Sequence, residues 1–467
     1  MRYLSTRGRA PVLDFAAVTL AGLASDGGLY VPEAWPTLSR DEIAELRGLP
    51  YSELAARIMQ PFVGDCLTAE RLFELTTQAY GRFAHAAVTP LTQLDERNWL
   101  LELFHGPTLA FKDVALQLLG LLFDEFLARE DSRLTVVGAT SGDTGSAAID
   151  ALAGRERVEI FMLHPAGRVS DVQRVQMTTV LAPNVHNIAV ENASFDDCQA
   201  MVKRLFADDG VSARHRLGAV NSINWARLMA QVVYYFAAAL PLGAPAGKVA
   251  FSVPTGNFGD VFAGYVAARM GLPVERLVVA TNVNDILHRA LTAGDYSAAE
   301  VTPTAAPSMD IQVSSNFERL LFDLGGRDGD ALSAQMATFD SSRALRLSDA
   351  QRSGATELFT SARADAADMA EAMRWAWEHC GCEAIDPHTA IGLHAARALT
   401  WPPHVPVVTL ATAHPGKFRD AVERATGFRP GLPARVGDLF GREERCVRLP
   451  GDYHAVRAFI LDTAMPR

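Results

Sequence analysis

The chain has 467 residues, 49% of them hydrophobic and 21% charged, with a formal net charge of −11. That length exceeds one small core and predicts two or three domains, and the acidic balance disfavours a general nucleic-acid surface. Five cysteines, an odd number, make no disulfide framework, Cys380 and Cys382 stand too close for ordinary zinc-ribbon spacing, and no apolar run approaches a membrane span.

Arg2, Arg7 and Arg9 lead into no apolar segment with a cleavage site, so the expectation is a cytoplasmic, reduced protein without structural metal. Ser5-Thr6-Arg7-Gly8 is followed by Asp26-Gly27-Gly28-Leu29-Tyr30-Val31-Pro32, a tight loop and a short strand that ends at proline. Residues 40–84 read as helical, with Leu54, Ile58 and Phe62 on one stripe, and residues 1–95 as a mostly helical N-terminal domain. Phe104-His105-Gly106-Pro107-Thr108-Leu109-Ala110-Phe111-Lys112-Asp113 then places one lysine near the first turn of an apolar helix carrying Leu116, Leu119 and Phe123. Desolvation makes the neutral amine of such a lysine accessible, as a Schiff-base lysine needs; the alternative is a lysine that reaches solvent and pairs with Asp113 or Glu102.

A buried strand at 134–138 runs into Ala139-Thr140-Ser141-Gly142-Asp143-Thr144-Gly145 and a helix at 146–153. Strand, glycine-rich loop and helix form an anion site, or else an ordinary turn capped by Asp143 or Thr144. Strands at 159–163 and 185–190 and a helix at 195–206 continue a parallel α/β pattern, giving a small domain over 134–220. Arg168 and Arg174 form either a solvated face or a phosphate contact. The apolar helix that runs to Ala239 is expected to be capped by Asn221 or Ser222, with Asn224 and Arg227 on one face near its start.

The sharper cradle is Pro254-Thr255-Gly256-Asn257-Phe258-Gly259-Asp260, between a strand at 248–253 and an apolar helix at 261–270. Its glycines allow close backbone approach, the helix dipole favours an anion, and no Walker lysine follows. Further on, a strand is expected at 277–282, a helix capped by Ser315 or Asn316, and His388 and His394 as helix-start and surface residues. A last buried strand at 405–410 ends in Ala411-Thr412-Ala413-His414-Pro415-Gly416-Lys417, where a hydroxyl points into a crevice or caps the next helix. His414 and Lys417 either orient that loop or reach an anion.

These four motifs, in this order, resemble those of the threonine synthase family of the bacterial and fungal type, pyridoxal-phosphate enzymes of fold type II related to the tryptophan-synthase β chain. The resemblance, covering nearly the whole chain, implies an α/β protein: two open, twisted parallel-sheet domains plus a mostly helical N-terminal domain. The large cofactor domain would be 96–133 with 221–467. It implies Lys112 as the catalytic, pyridoxal 5'-phosphate-bearing residue, Gly256, Asn257, Phe258 and Gly259 around the cofactor phosphate, and Thr412 facing the pyridine nitrogen. Thr140, Ser141, Gly142, Thr144, Arg168 and Asn224 become candidate substrate ligands, with no metal. Asp143 stands where many relatives of the wider fold carry asparagine, which argues against its touching a substrate carboxylate. The implied reaction converts O-phospho-L-homoserine and water to L-threonine and phosphate, in a monomer or homodimer that binds neither nucleic acid nor membrane. The alternatives are an eliminating dehydratase or phospholyase on the same fold, and a non-catalytic cofactor-binding homologue.

Overall fold

The computed structural model describes residues 1–381 and 384–465, so Cys382 of the close cysteine pair lies outside the described residues. The chain forms two compact units. One comprises Met1–Val18, Leu23–Phe111 and Ser222–Gly431, and the other Thr19–Gly22, Lys112–Asn221 and Leu432–Arg467.

The first unit is built on a six-stranded sheet, in the order Phe359–Arg363, Val274–Thr281, Val249–Pro254, Val407–Ala411, Asn98–Glu102 and Leu91–Gln93. All neighbours are parallel except the last pair. The two central strands, Val-Ala-Phe-Ser-Val-Pro and Val-Val-Thr-Leu-Ala, are buried throughout, as continuous apolar runs must be when both sheet faces are covered. Helices Trp225–Ala239, Gly259–Arg269 and Pro387–Ala398 pack within this unit. Gly392 lets the last of these approach the sheet closely, since a Cβ there would stand 2.9 Å from Thr409 and 3.0 Å from Pro254. Tyr51–Val63 buries the expected stripe of Leu54, Ile58 and Phe62 and packs on Ala69–Tyr80 and Trp225–Ala239.

Two caps differ from expectation. Asn224, not Asn221 or Ser222, caps the Trp225–Ala239 helix, its Oδ1 accepting the Ala226 N–H at 3.0 Å. Asn316 does stand at the start of Phe317–Leu324 but makes no side-chain cap bond, because its oxygen accepts from Arg319 while its NH₂ donates to Ser222 O and Asn257 O.

The second unit holds a five-stranded, all-parallel sheet in the order Val447–Pro450, Val185–Glu191, Val158–Pro165, Leu134–Ala139 and Leu217–Gly218. Val137, Phe161, Ile188, Cys198 and Leu205 share its core with Val456 and Ile460 of the C-terminal helix Tyr453–Thr463. The helix Lys112–Arg129 packs on Asp143–Leu152 at Gly120, where a Cβ would come within 2.5 Å of the Ala151 carbonyl.

The N-terminal motifs form a clasp. Strand Tyr3–Ser5 pairs antiparallel with Tyr30–Pro32, and the Thr6 hydroxyl and Arg7 guanidinium both bond Glu318. Asp26 accepts from the Ser5 hydroxyl and from the N–H groups of Gly28, Arg9 and Ala10 at 2.8–2.9 Å. Burial pushes the Asp26 carboxyl up, but these bonds outweigh it and hold the group below its usual range. A carboxylate held low contributes stability above its unfolded value of about 3.9, and that contribution is lost as pH falls through the folded value. Asp26→Asn should therefore lower the melting temperature by a few degrees at pH 7. The difference from the parent should close progressively below about pH 4; a gap unchanged at pH 3 would mean that the charge is irrelevant to the clasp.

Candidate active site

The chain between Val249–Pro254 and Gly259–Arg269 is shaped by what happens to its carbonyls. The Ser314 hydroxyl donates to Gly256 O at 2.7 Å, and Asn257 O accepts from both the N–H (3.1 Å) and the side-chain amide (3.0 Å) of Asn316. With the carbonyls turned onto residues 314–316, the N–H groups of Gly256, Asn257, Phe258 and Gly259 donate to no acceptor among the described residues. Phe258 is left-handed, with φ +63°, and its buried ring packs against Phe317 and Phe359. Gly256 is required by contact: a Cβ there would stand 2.5 Å from the Ser308 carbonyl. Successive unpartnered N–H groups at the positive end of a buried helix make an anion seat.

Thr412 follows the strand Val407–Ala411 and is 6% exposed. Its hydroxyl has no hydrogen-bond partner among the described residues, and the next helix, Arg419–Thr426, has no side-chain cap, so Thr412 is not its cap. Its carbonyl accepts the N–H of Phe111, the residue directly before Lys112, at 2.8 Å. Ala110 and Ala413 form an antiparallel bridge, His414 N–H donates to Leu109 O at 3.1 Å, and buried Lys417 donates to Thr108 O at 2.8 Å. Lys417 therefore orients the loop that leads into Lys112. Leu109 completes the turn with φ +63°.

Asn224 and Arg227 belong to the same unit. Ser222 O lies 3.6 Å from where a Gly259 Cβ would be, so the start of this helix adjoins the 256–259 loop. Asn224 is fully buried in its capping role. Arg227 is 4% exposed, and its Nε and Nη1 are buried with no hydrogen-bond partner. Burial pushes its guanidinium down to about 10. A buried cation with no anion beside it among the described residues is costly, a cost an incoming anion would relieve. Arg227 was legible only as a neighbour of Asn224 in sequence, because the missing partner is a property of the fold. His388 sits at a helix start, as expected, but is buried rather than at the surface, with its Nδ1 2.8 Å from Asp386.

In the second unit Lys112 is the first residue of its helix and 8% exposed. Its Nζ is 3.8 Å from Asp143 Oδ2, while Glu102, the partner considered earlier, instead bonds Thr92 and His105 in the first unit. Gln173 donates to Asp143 Oδ1 at 2.8 Å. In the loop before Asp143–Leu152, the buried Thr140 hydroxyl accepts from the N–H groups of Gly142 and Gly145, both at 2.9 Å, and so braces the loop. A Cβ at Gly142, where φ is +145°, would collide with Gln173, and one at Gly145 with Thr140. Ser141 is exposed and Thr144 half-buried, so their hydroxyls remain presentable; Arg168 is exposed.

The seat formed by residues 256–259 and the unpartnered Thr412 hydroxyl suit the phosphate and ring nitrogen of pyridoxal phosphate, and comparison with known proteins gives the class of enzyme. The family described as pyridoxal-phosphate dependent enzyme matches residues 83–413, which makes the chain an enzyme of that class with the type II fold. Matches to "Threonine synthase N terminus" over 2–80 and "Threonine synthase, C-terminal" over 389–460 flank it. A threonine synthase of Pseudomonas aeruginosa is 56% identical over 461 residues, covering 98% of each chain. A pyridoxal-phosphate-bound threonine synthase from Brucella melitensis superposes with a TM-score of 0.95 at 49% identity, covering 99% of both chains, and the yeast enzyme with 0.94 at 38%, covering 99% and 98%. The chain belongs to the threonine synthase family.

Gly256→Ala tests the seat. With Ser308 backbone 2.5 Å from the new methyl, the loop must shift, and cofactor affinity should fall ~10-fold or more, the equivalent of one or two weakened hydrogen bonds. Titration of the apoprotein with pyridoxal phosphate measures this, with circular dichroism to confirm the fold.

Proposed function

We propose that the protein converts O-phospho-L-homoserine and water to L-threonine and inorganic phosphate, with Lys112 as its catalytic residue. The unpartnered N–H groups of residues 256–259 carry the reading, since they provide for the phosphate ester of a pyridoxal cofactor. When bound, that cofactor supplies an electron sink for charge that develops beside the substrate amine. Gly256, Asn257, Phe258 and Gly259 would hold its phosphate, the Thr412 hydroxyl would lie toward its ring nitrogen, and Lys112 would carry it. A hydroxyl, unlike a carboxylate, does not enforce protonation of that nitrogen.

Released, the Lys112 amine takes the α-proton and shuttles protons at the β- and γ-carbons. A β-proton is lost as the bond from the γ-carbon to the phosphate oxygen breaks, a proton is added at the γ-carbon to give the methyl group, water oxygen bonds to the β-carbon with its spare proton going to the released phosphate, and a proton returns to the α-carbon. The backbone N–H groups and hydroxyls of Ser141 and Thr144 hold the substrate carboxylate. Arg227, a buried cation with Nε and Nη1 unpartnered, holds the substrate phosphate in preference to the exposed Arg168. A cytoplasmic location and a monomer or homodimer complete the proposal; no helix among the described residues is long and apolar enough to cross a membrane.

In heavy-oxygen water the label should appear on the threonine hydroxyl, and borohydride should fix the cofactor to the peptide that contains Lys112. Formation of 2-oxobutyrate and phosphate alone would make the protein an eliminating lyase. Arg227→Gln should raise KM for the phosphorylated substrate ~10- to 100-fold, the worth of a hydrogen bond to a charged group, and should weaken product inhibition by phosphate in parallel. An unchanged KM would move the anion site elsewhere.

A further inference from the structure

Three side chains behind the first unit's two cofactor-facing segments have no role in the chemistry above. Asp386 is completely buried. Its Oδ1 lies 2.8 Å from His388 Nδ1, and its Oδ2 accepts the Thr389 hydroxyl. His388 Nε2 in turn accepts the Ser308 N–H at 3.3 Å. A ring nitrogen that accepts carries no proton, so the imidazole proton sits on Nδ1 and is donated to Asp386. Ser308 is the residue whose carbonyl backs Gly256. On the other side, Thr389 Oγ1 accepts the Thr412 N–H at 3.3 Å.

One carboxylate therefore ends two hydrogen-bonded chains, one through His388 to the turn beneath the phosphate seat, the other through Thr389 to the backbone of Thr412. Asp386 also caps the Pro387–Ala398 helix, accepting from the N–H groups of His388 at 2.9 Å and Thr389 at 3.3 Å. A cap needs only a side-chain oxygen, and many residues supply one. Here both oxygens accept twice, so an asparagine would set its NH₂ against donors.

We infer that Asp386 is a positioning residue that keeps the phosphate seat and the ring partner in register, His388 serving the first and Thr389 the second. The inference rests on the cofactor reading given above for residues 256–259 and Thr412. Its test uses full-length protein well below each variant's melting temperature, with two readouts: the dissociation constant for pyridoxal phosphate added to apoprotein, and the visible absorption band of the bound cofactor with its pH midpoint. His388→Ala should raise the dissociation constant ~10-fold, the equivalent of one hydrogen bond, and leave the band in place. Thr389→Val, which removes the hydroxyl's bonds to Asp386 and Thr412, should shift the band and its pH midpoint with the dissociation constant held within about twofold, because the His388 branch stays intact, and Thr389→Ser should restore both. Asp386→Asn should show the two effects together.

If Asp386→Asn lowers only the melting temperature, it is a helix cap and the inference is overturned. Should that variant not fold, the His388 and Thr389 variants, which keep the cap, decide: effects that do not separate between the two readouts overturn it. Failure of the parent protein to bind the cofactor would instead strike the reading of the two segments.

Discussion

An anion seat made of peptide N–H groups needs donors that the protein leaves unused, and a folded chain seldom leaves donors unused. Here the condition is met by occupying the carbonyls. Gly256 O and Asn257 O are taken by Ser314 and Asn316, which fixes the planes of the intervening peptides and turns their N–H groups the other way. Phe258 has to become left-handed to allow this, and the packing of its ring against Phe317 and Phe359 compensates a backbone conformation that costs about 1–3 kcal/mol. The seat is thus a product of residues almost sixty positions further along the chain as much as of its own glycines.

The support extends back to the N-terminus. Completely buried Arg319 donates to Tyr30 O at 3.0 Å and Ile223 O at 2.6 Å and also bonds the Asn316 side chain, while Asn316 holds Ser222 O at 3.1 Å. One helix turn therefore joins the 256–259 loop, the segment leading to Asn224 and Arg227, and strand Tyr30–Pro32. Glu318, next to Arg319, receives Thr6 and Arg7 of the N-terminal clasp. The Ser-Thr-Arg-Gly and Asp-Gly-Gly-Leu stretches need no chemistry of their own: they brace the helix that braces the seat.

Much of this was legible from local pattern. Apolar runs pointed to strands at 134–138, 159–163, 248–253 and 405–410, found at 134–139, 158–165, 249–254 and 407–411, and the turns after the first and third to two anion loops; which anion each suits came from the family resemblance. What was not legible shares one cause, partners distant in sequence. Val447–Pro450 joins the second unit's sheet beside Val185–Glu191, and the short stretch Val-Arg-Leu-Pro carries no hint of this pairing. Asn316 looked like a cap because asparagine before a helix usually is one, and only the fold shows its amide spent on the carbonyls of Asn257 and Ser222. Arg227 and His388 were visible as residue types but not as an unpartnered cation and a buried relay, since both depend on what surrounds them.

The position of Asp143 follows from charge. In a loop that offers N–H groups and hydroxyls to a carboxylate, an asparagine can donate another hydrogen bond, but an aspartate adds repulsion unless its charge is already balanced. Asp143 is buried, with one oxygen 3.8 Å from the Lys112 ammonium and the other accepting the Gln173 amide. Gly142 must be glycine because Gln173 fills the space a Cβ would take, so the amide that satisfies Asp143 is also what shapes the turn before it. The aspartate thus faces lysine and glutamine rather than the exposed Ser141 beside it.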